Sequence, residues 1–425
     1  MLNILIVYGN YNYPLRSTVK DHLYCFSRYS NHNIIYLNLA VRKVPSYIFK
    51  IPIDLVIFHT TFLSKRWVNF NSFLKRARPL KELKTIKIAL PQDEFIKTDM
   101  LCDFVNEFEI DYVFSVAPES EWPKIYHKVD FQKVKFLKVL TGYLDDKTLL
   151  RIKKLEESSS NRPIDIGYRA YGIRHWLGRH GFLKIKIADI FKDVANKCNL
   201  KCDISTDGKD TFYGDDWYRF LLRCKYTIGV EGGATVLDRD GSIRYKTENY
   251  QANHPNATYD EIEASCFPQK DGFLNLMAIS PRHLEGCATK TCQVLIEGRY
   301  NDILLPGKHY IELKYDFSNI DQVIDIIKKD EIRHAITEQA YHDIVESEQY
   351  TYRSFVNTIL EKTLGHKRDP KFKEKLSFGQ VFANRWMIWA ETFSWIGVIV
   401  TSTIIKLGKS FLPGTYGKLL RLMRK

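Results

Sequence analysis

The sequence has no Cys-x-x-Cys pair and no Cys/His spacing that would close a zinc module, although it contains 8 cysteines. Scattered singly, these read as reduced thiols. A basic leading segment followed by an apolar stretch is also missing. MLNILIVYGNYNY passes directly from an apolar strand into a polar turn, which is not the signal-peptide pattern, so a cytoplasmic setting is expected. There is no internal repeat strong enough to quote. No nucleic-acid motif occurs, and the net charge of +13 is not spread over the chain. From His366 to Lys425 there are twelve Lys and Arg against three acidic residues, so the globular part has no concentrated basic face and nucleic acid is not an expected partner.

What is present fits a soluble globular class: 45% hydrophobic and 27% charged residues, with 25 Tyr and 25 Phe. At 425 residues the chain exceeds the size at which one core keeps growing, and two domains are expected. The first half alternates short apolar runs (NILIVYG, NIIYLNL, DLVIFHT, IKIALPQ, DYVFSVA, KFLKVLTG) with helical stretches, the pattern of a parallel sheet in an α/β domain. LEESSSNRP at 155–163 marks a boundary. Beyond it, IDIGYRA, KCDIST, YTIGVE, CQVLIEG and HYIELK repeat the alternation. The expected fold is α/β, with two Rossmann-like domains facing a cleft over residues 1–155 and 163–345, closing helices over 346–377, and a tail over 378–425.

Ligands of such sheets gather at the carboxyl ends of the strands. In the first domain those ends carry His59 and the pair Asp93–Glu94, all residue types able to act as a base. Asp93 and Glu94 equally suit the N-cap and first turn of a helix, and His59 equally suits a packed core position. In the second domain, ISPRHLEGCATKTCQVLIEG predicts a helix, a turn and a strand. Ser280 is placed as N-cap, Pro281 at the first helical position, and Arg282 where free N–H groups attract anions. Glu285 follows on the first turn. A phosphate-bearing ligand with vicinal hydroxyls would satisfy both the helix start and the carboxylate, whereas the plain alternative is an ordinary capped helix.

The tail has its own character. FANRWMIWAETFSWIGVIVTSTIIKLGKSF carries three Trp and one acid in an apolar run, and GKLLRLMRK ends it as a basic amphipathic segment. This composition suits a helix lying on an anionic membrane surface, with a buried helix or a span as the alternatives.

Taken together, IGYRAYGIRHWLGRHG, YTIGVEGGATVLDRDGSI and SPRHLEGCATKTCQVLIEGRYNDILLPGKHYIELKYDFSNIDQVI resemble the bacterial nucleotide-sugar glycosyltransferases of the GT-B fold, of the group-one type encoded with surface-polysaccharide genes. The resemblance implies transfer of a sugar from a nucleotide-sugar donor to a saccharide or lipid-linked acceptor. It places Glu285 on the ribose, the Ser280–Arg282 helix start near the diphosphate, and Arg169 or Lys184 as the cation against it. In the better-known retaining pattern two glutamates stand eight residues apart, yet position 277 is Met; Glu231 is the available substitute, with residues 234–278 inserted between the pair. Gly232 and Gly233 would let backbone N–H groups approach the ligand. Asp238 and Asp240 form an Asp-x-Asp string that either holds a metal or structures a turn; helix dipoles and basic side chains serve GT-B enzymes in place of a metal, so no metal and no cofactor are expected. A sugar-nucleotide epimerase and a non-catalytic membrane-associated scaffold are the rival readings.

Overall fold

The computed structural model describes residues 1–10, 16–157, 161–172 and 174–365. The tail expected over 378–425, with its membrane role, lies outside the described residues, as does the end of the 346–377 segment.

Six apolar runs of the first half form β1 (Asn3–Tyr8), β2 (Asn33–Asn38), β3 (Leu55–Phe58), β4 (Ile86–Ala89), β5 (Tyr112–Ser115) and β6 (Lys135–Lys138). They pair parallel in the order β2-β1-β3-β4-β5-β6. β1 and β3 are buried on both faces, which is why they read as continuous apolar runs without alternation. The second half supplies β7 (Ile164–Arg169), β8 (Cys202–Ser205), β9 (Cys224–Gly229), a short antiparallel pair β10 (Gly232–Ala234) and β11 (Leu276–Ala278), then β12 (Cys292–Ile296) and β13 (Ile311–Leu313). Its five-stranded sheet is again parallel, in the order β13-β12-β9-β7-β8. The expected arrangement of two doubly wound α/β units facing a cleft is present.

In each sheet the strand order reverses beside the first strand of the unit, between β1 and β3 and between β7 and β9. Crevices open outside the carboxyl ends of strands at such points. Gly9, Asn10 and His59 stand at one, Ala170, Val230 and Glu231 at the other.

Two segments tie the halves together. The helix Tyr352–Leu364 returns to the first sheet, burying Tyr352, Phe355, Val356 and Ile359 against a cluster that includes Ile4, Ile6 and Phe26. The excursion between β10 and β11 crosses as well. Its helices Ser242–Asn253 and Tyr259–Cys266, with the turn that follows, bury Ile243, Ile262, Cys266, Phe267 and Leu274 in the same core as Val7, Phe58, Phe62 and Phe104. Backbone bonds fasten it there: Lys97 N–H to Asp238 O at 2.6 Å, Asp238 N–H to Phe95 O at 2.8 Å, and Asp99 N–H to Arg239 O at 3.0 Å. Because one apolar core spans both halves, calorimetry is expected to show a single cooperative unfolding transition for residues 1–365; two separated transitions would contradict this account.

Candidate active site

The loop after β4 sets the first domain's contribution. Arg66, fully buried, donates from Nη2 to the carbonyls of Gln92 and Asp93, both at 3.3 Å, and from Nη1 to Leu63 O at 3.0 Å. Asp93 takes a left-handed conformation with φ 53°, a strain that Asp tolerates better than most residues and that collects at functional sites. Its side chain stands in the cleft, ringed by protein yet reachable by solvent. Desolvation by the protein packed around it raises its pKa even though the side chain itself is exposed, with the charges of Arg66, Arg174 and Lys184 pulling it back.

Glu94, one residue on, turns the other way. Its carboxylate is fully buried and accepts from the Ser115 hydroxyl at 2.7 Å, from Val116 N–H at 2.8 Å and from the Tyr126 hydroxyl. It holds the ends of β4 and β5 together and does not face the cleft, so the expectation of a base at Glu94 is corrected. Neither acid caps a helix, since the next one begins at Thr98.

His59 is corrected too. It is 1% exposed and caps the helix Thr60–Leu63, its Nδ1 accepting from Thr61 N–H at 3.1 Å. That bond places the proton of the neutral ring on Nε2, which faces His22 Nδ1 at 2.8 Å. His22, unlike His59, lines the cleft, and its proton is thereby assigned to Nε2. Burial pushes His22 down to about 4 and His59 well below the usual histidine value, so both rings are neutral near pH 7. His22 therefore offers the cleft a fixed hydrogen-bond donor.

In the second domain the strand-end arginine lines the pocket that contains Glu285, with its guanidinium already engaged. Arg169 Nη2 pairs with Asp203 Oδ1 at 2.7 Å, its Nη1 donates to Asp203 O at 2.8 Å, and Phe212 and Phe220 stack on the guanidinium at 4.9 and 4.5 Å. It ties β7 to the edge strand β8 at the wall of that pocket. Its carbonyl instead accepts from Arg282 Nη1 at 2.7 Å, fixing that arginine at the helix start. Glu231 is likewise engaged: 6% exposed, it accepts from Tyr300 N–H at 2.7 Å and Arg299 N–H at 3.3 Å. It shapes the loop after β12, with both carboxylate oxygens taken by backbone N–H groups.

Lys184 is the other cation the sequence offered. It lines the crevice beside Arg174, Gly229, Gly232, Ser280 and Arg282, and it also faces the larger cavity that holds Asp93. Burial lowers its pKa to about 8, with the positive charges of Arg282 and Arg174 adding to the fall and Asp93 offsetting it. Three cations thus converge where the helix Pro281–Ala288 begins. Ser280 N–H donates to His283 Nδ1 at 3.1 Å, so a histidine completes the start of that helix. Gly232 and Gly233 line the same cleft; Gly233 has φ 138°, and a Cβ there would lie 1.8 Å from Leu276 O, so only glycine allows β10 to pair with β11.

Glu285 sits beyond the cations, in a pocket of about 270 Å³ with Tyr171, Phe212, Tyr213, Trp217 and Tyr218. Trp217 Nε1–H donates to Oε2 at 2.8 Å and the Tyr218 hydroxyl to Oε1 at 3.4 Å. Burial raises its pKa, and these donors oppose the rise. Aromatic faces around a fixed carboxylate suit a planar base joined to a diol.

Asp238 and Asp240 structure a turn. Asp238 accepts from the N–H groups of Gly241 at 2.9 Å, Ile243 at 3.3 Å and Arg244 at 2.9 Å, and Asp240 from Ser242 N–H at 2.9 Å, capping the helix Ser242–Asn253.

Sequence reasoning passed over Arg66, His22, Arg174 and Trp217. Arg174 stood in the quoted IGYRAYGIRHW, where its loop position beside the strand end was the available signal. For Arg66 and His22 nothing local marked the role, because their partners lie 26 and 37 residues away.

No family model and no curated protein matches the chain. Its course is similar to solved structures of low identity. Sucrose-phosphate synthase (tll1590) from Thermosynechococcus elongatus has a TM-score of 0.48 at 8% identity, covering 86% of this chain and 100% of that one. Anabaena Alr3699/HepE in complex with UDP and glucose has 0.45 at 9%, again over 86% and 100%. A glycosyltransferase from Rickettsia africae ESF-5 has 0.43 at 12%, over 87% and 99%. With overlap this loose, the reading of function rests on the chemistry of the site.

Proposed function

We propose that the protein is a glycosyltransferase that moves a sugar from a nucleotide-sugar donor to a saccharide or lipid-linked acceptor. One observation carries the reading: Lys184, Arg174 and Arg282 converge at a helix start, with the Glu285 pocket on one side and Asp93 on the other. The nucleoside fits the aromatic pocket with its ribose hydroxyls on Glu285. The diphosphate meets the three cations, which offset the charge that develops as the bond from the sugar's anomeric carbon to the phosphate oxygen breaks. Asp93 takes the proton of the acceptor hydroxyl as the new bond forms. Each role matches what the group does in the free protein: among the described residues the cations are unspent on acids of their own, and Asp93 alone of the two neighbouring acids is open to the cleft.

Thermal shift against UDP, GDP, CMP and dTDP tests the donor site. A nucleotide at 100 times its dissociation constant adds about 2.7 kcal/mol, a shift of several degrees, and Glu285→Ala abolishes it. No shift with any nucleotide would favour the scaffold reading. An epimerase would turn over the donor with no acceptor and no role for the tail.

We further propose that the protein works on the cytoplasmic face of the membrane in the synthesis of a surface polysaccharide, held there by residues 378–425. The surplus of cations beside three tryptophans in that segment supports this. Deleting residues 378–425 is expected to release the protein from vesicles containing anionic lipid; undiminished binding would refute the anchoring role. Among the described residues no helix is long and apolar enough to cross a membrane.

A further inference from the structure

The excursion between β10 and β11 does more than fasten the two halves. On its helix Ser242–Asn253, Ile243, Thr247 and Tyr250 turn inward, the first two buried. The adjacent stripe at the same spacing, Arg244, Glu248 and Gln251, faces the cavity of about 850 Å³ that also contains Asp93, His22 and Gln92. Arg244 lies over the rings of Trp67 at 5.1 Å and Trp176 at 5.6 Å, and its Nε pairs with Glu248 Oε1 at 2.7 Å. Both tryptophans line the cavity, and the indole N–H of Trp67 is buried with no hydrogen-bond partner among the described residues.

We propose that this wall is the acceptor subsite, and that it takes a sugar ring. Aromatic surface matches the apolar face of a pyranose, while a carboxylate and an amide one helical turn apart match its hydroxyls as acceptor and donor. Arg244 orients Glu248 and lies across the two indoles, whose rings meet edge to face at 5.4 Å. The proposal rests on the glycosyl-transfer reading and deepens it: acceptor choice lies in an element of the second half of the chain that has crossed to the first. The excursion is thus a specificity device as well as a brace, and Asp93 stands between it and the donor crevice.

The test uses the purified full chain and a panel of methyl glycosides of glucose, galactose, mannose, rhamnose and N-acetylglucosamine, followed by saturation-transfer NMR, with UDP, GDP, CMP and dTDP titrated in parallel. At least one glycoside is expected to bind. The double variant Glu248→Ala/Gln251→Ala, both side chains being accessible from the cavity, weakens that glycoside by about tenfold or more, as expected for loss of a charge-assisted hydrogen bond, and leaves nucleotide affinity within about twofold. Trp67→Phe, which leaves a single smaller ring and removes the N–H, gives a smaller loss of the same sign. Nucleotide binding with no glycoside bound, or with glycoside binding unchanged in the double variant, overturns the subsite and spares the donor site. Glycoside binding without any nucleotide binding overturns the donor reading instead.

Discussion

Asp93→Asn lowers turnover by about 10²–10⁴-fold while the protein keeps its melting temperature and its affinity for nucleotide. The expectation follows from where the carboxylate is held. Arg66 grips the two carbonyls of the loop, the left-handed turn throws the side chain into the cleft, and no fold-supporting contact is lost on going to the amide. The pH profile gives the sign. Asp93 works ionised, and desolvation raises its pKa, so activity rises with pH along a limb lying above the ordinary aspartate range, and that limb disappears in the variant. Glu94→Gln behaves differently: the amide cannot accept from three donors as the carboxylate does, so the melting temperature falls, and no limb of the profile moves. Equal kinetic losses at both positions, or none at Asp93, would remove Asp93 from the mechanism.

Lys184→Met is expected to cost about 10²–10³-fold in turnover, the loss seen when one preorganised group that stabilises developing charge is removed. Lys184 acts protonated, and its pKa is lowered to about 8 by burial and by Arg282 and Arg174. Activity therefore falls as the pH rises through about 8, and this alkaline limb is absent in Lys184→Met. Lys184→Arg keeps the charge at all accessible pH values, so it recovers part of the rate and loses the limb. Bound diphosphate adds negative charge beside the ammonium, so the limb for kcat lies above the limb for kcat/KM. Turnover unaltered in Lys184→Met would show that the three-cation cluster is not the leaving-group site.

The eleven strands of the two large sheets were legible as short apolar runs, unbroken where strands such as β1, β3 and β12 are buried on both faces and weaker at the edge strands β6 and β8. The helix start at Ser280–Arg282 was legible for a similar reason, since its cap, its proline and its cation are adjacent in sequence. Arg169 was not, because the side chain that claims it, Asp203, belongs to a neighbouring strand 34 residues on. Asp93 and Glu94 could not be told apart either: they are the same kind of group one residue apart, and the loop's left-handed turn sends them to opposite sides. The span of the β10–β11 excursion was read as an insertion, but its helix and its docking escaped because SIRYKTENYQAN presents only Ile243, Thr247 and Tyr250 to the core, too polar a face to show a helical period, and because the surface it covers belongs to the other half of the chain.

The most direct test of the central claim is release of nucleotide from UDP-, GDP-, CMP- and dTDP-sugars by the purified full chain, measured alongside Asp93→Asn and Lys184→Met. The account predicts that one nucleotide class is released by the wild-type protein, slowly to water and faster with an acceptor glycoside, and that both variants suppress the release. Binding without release in any combination, or release that both variants leave unchanged, would contradict it.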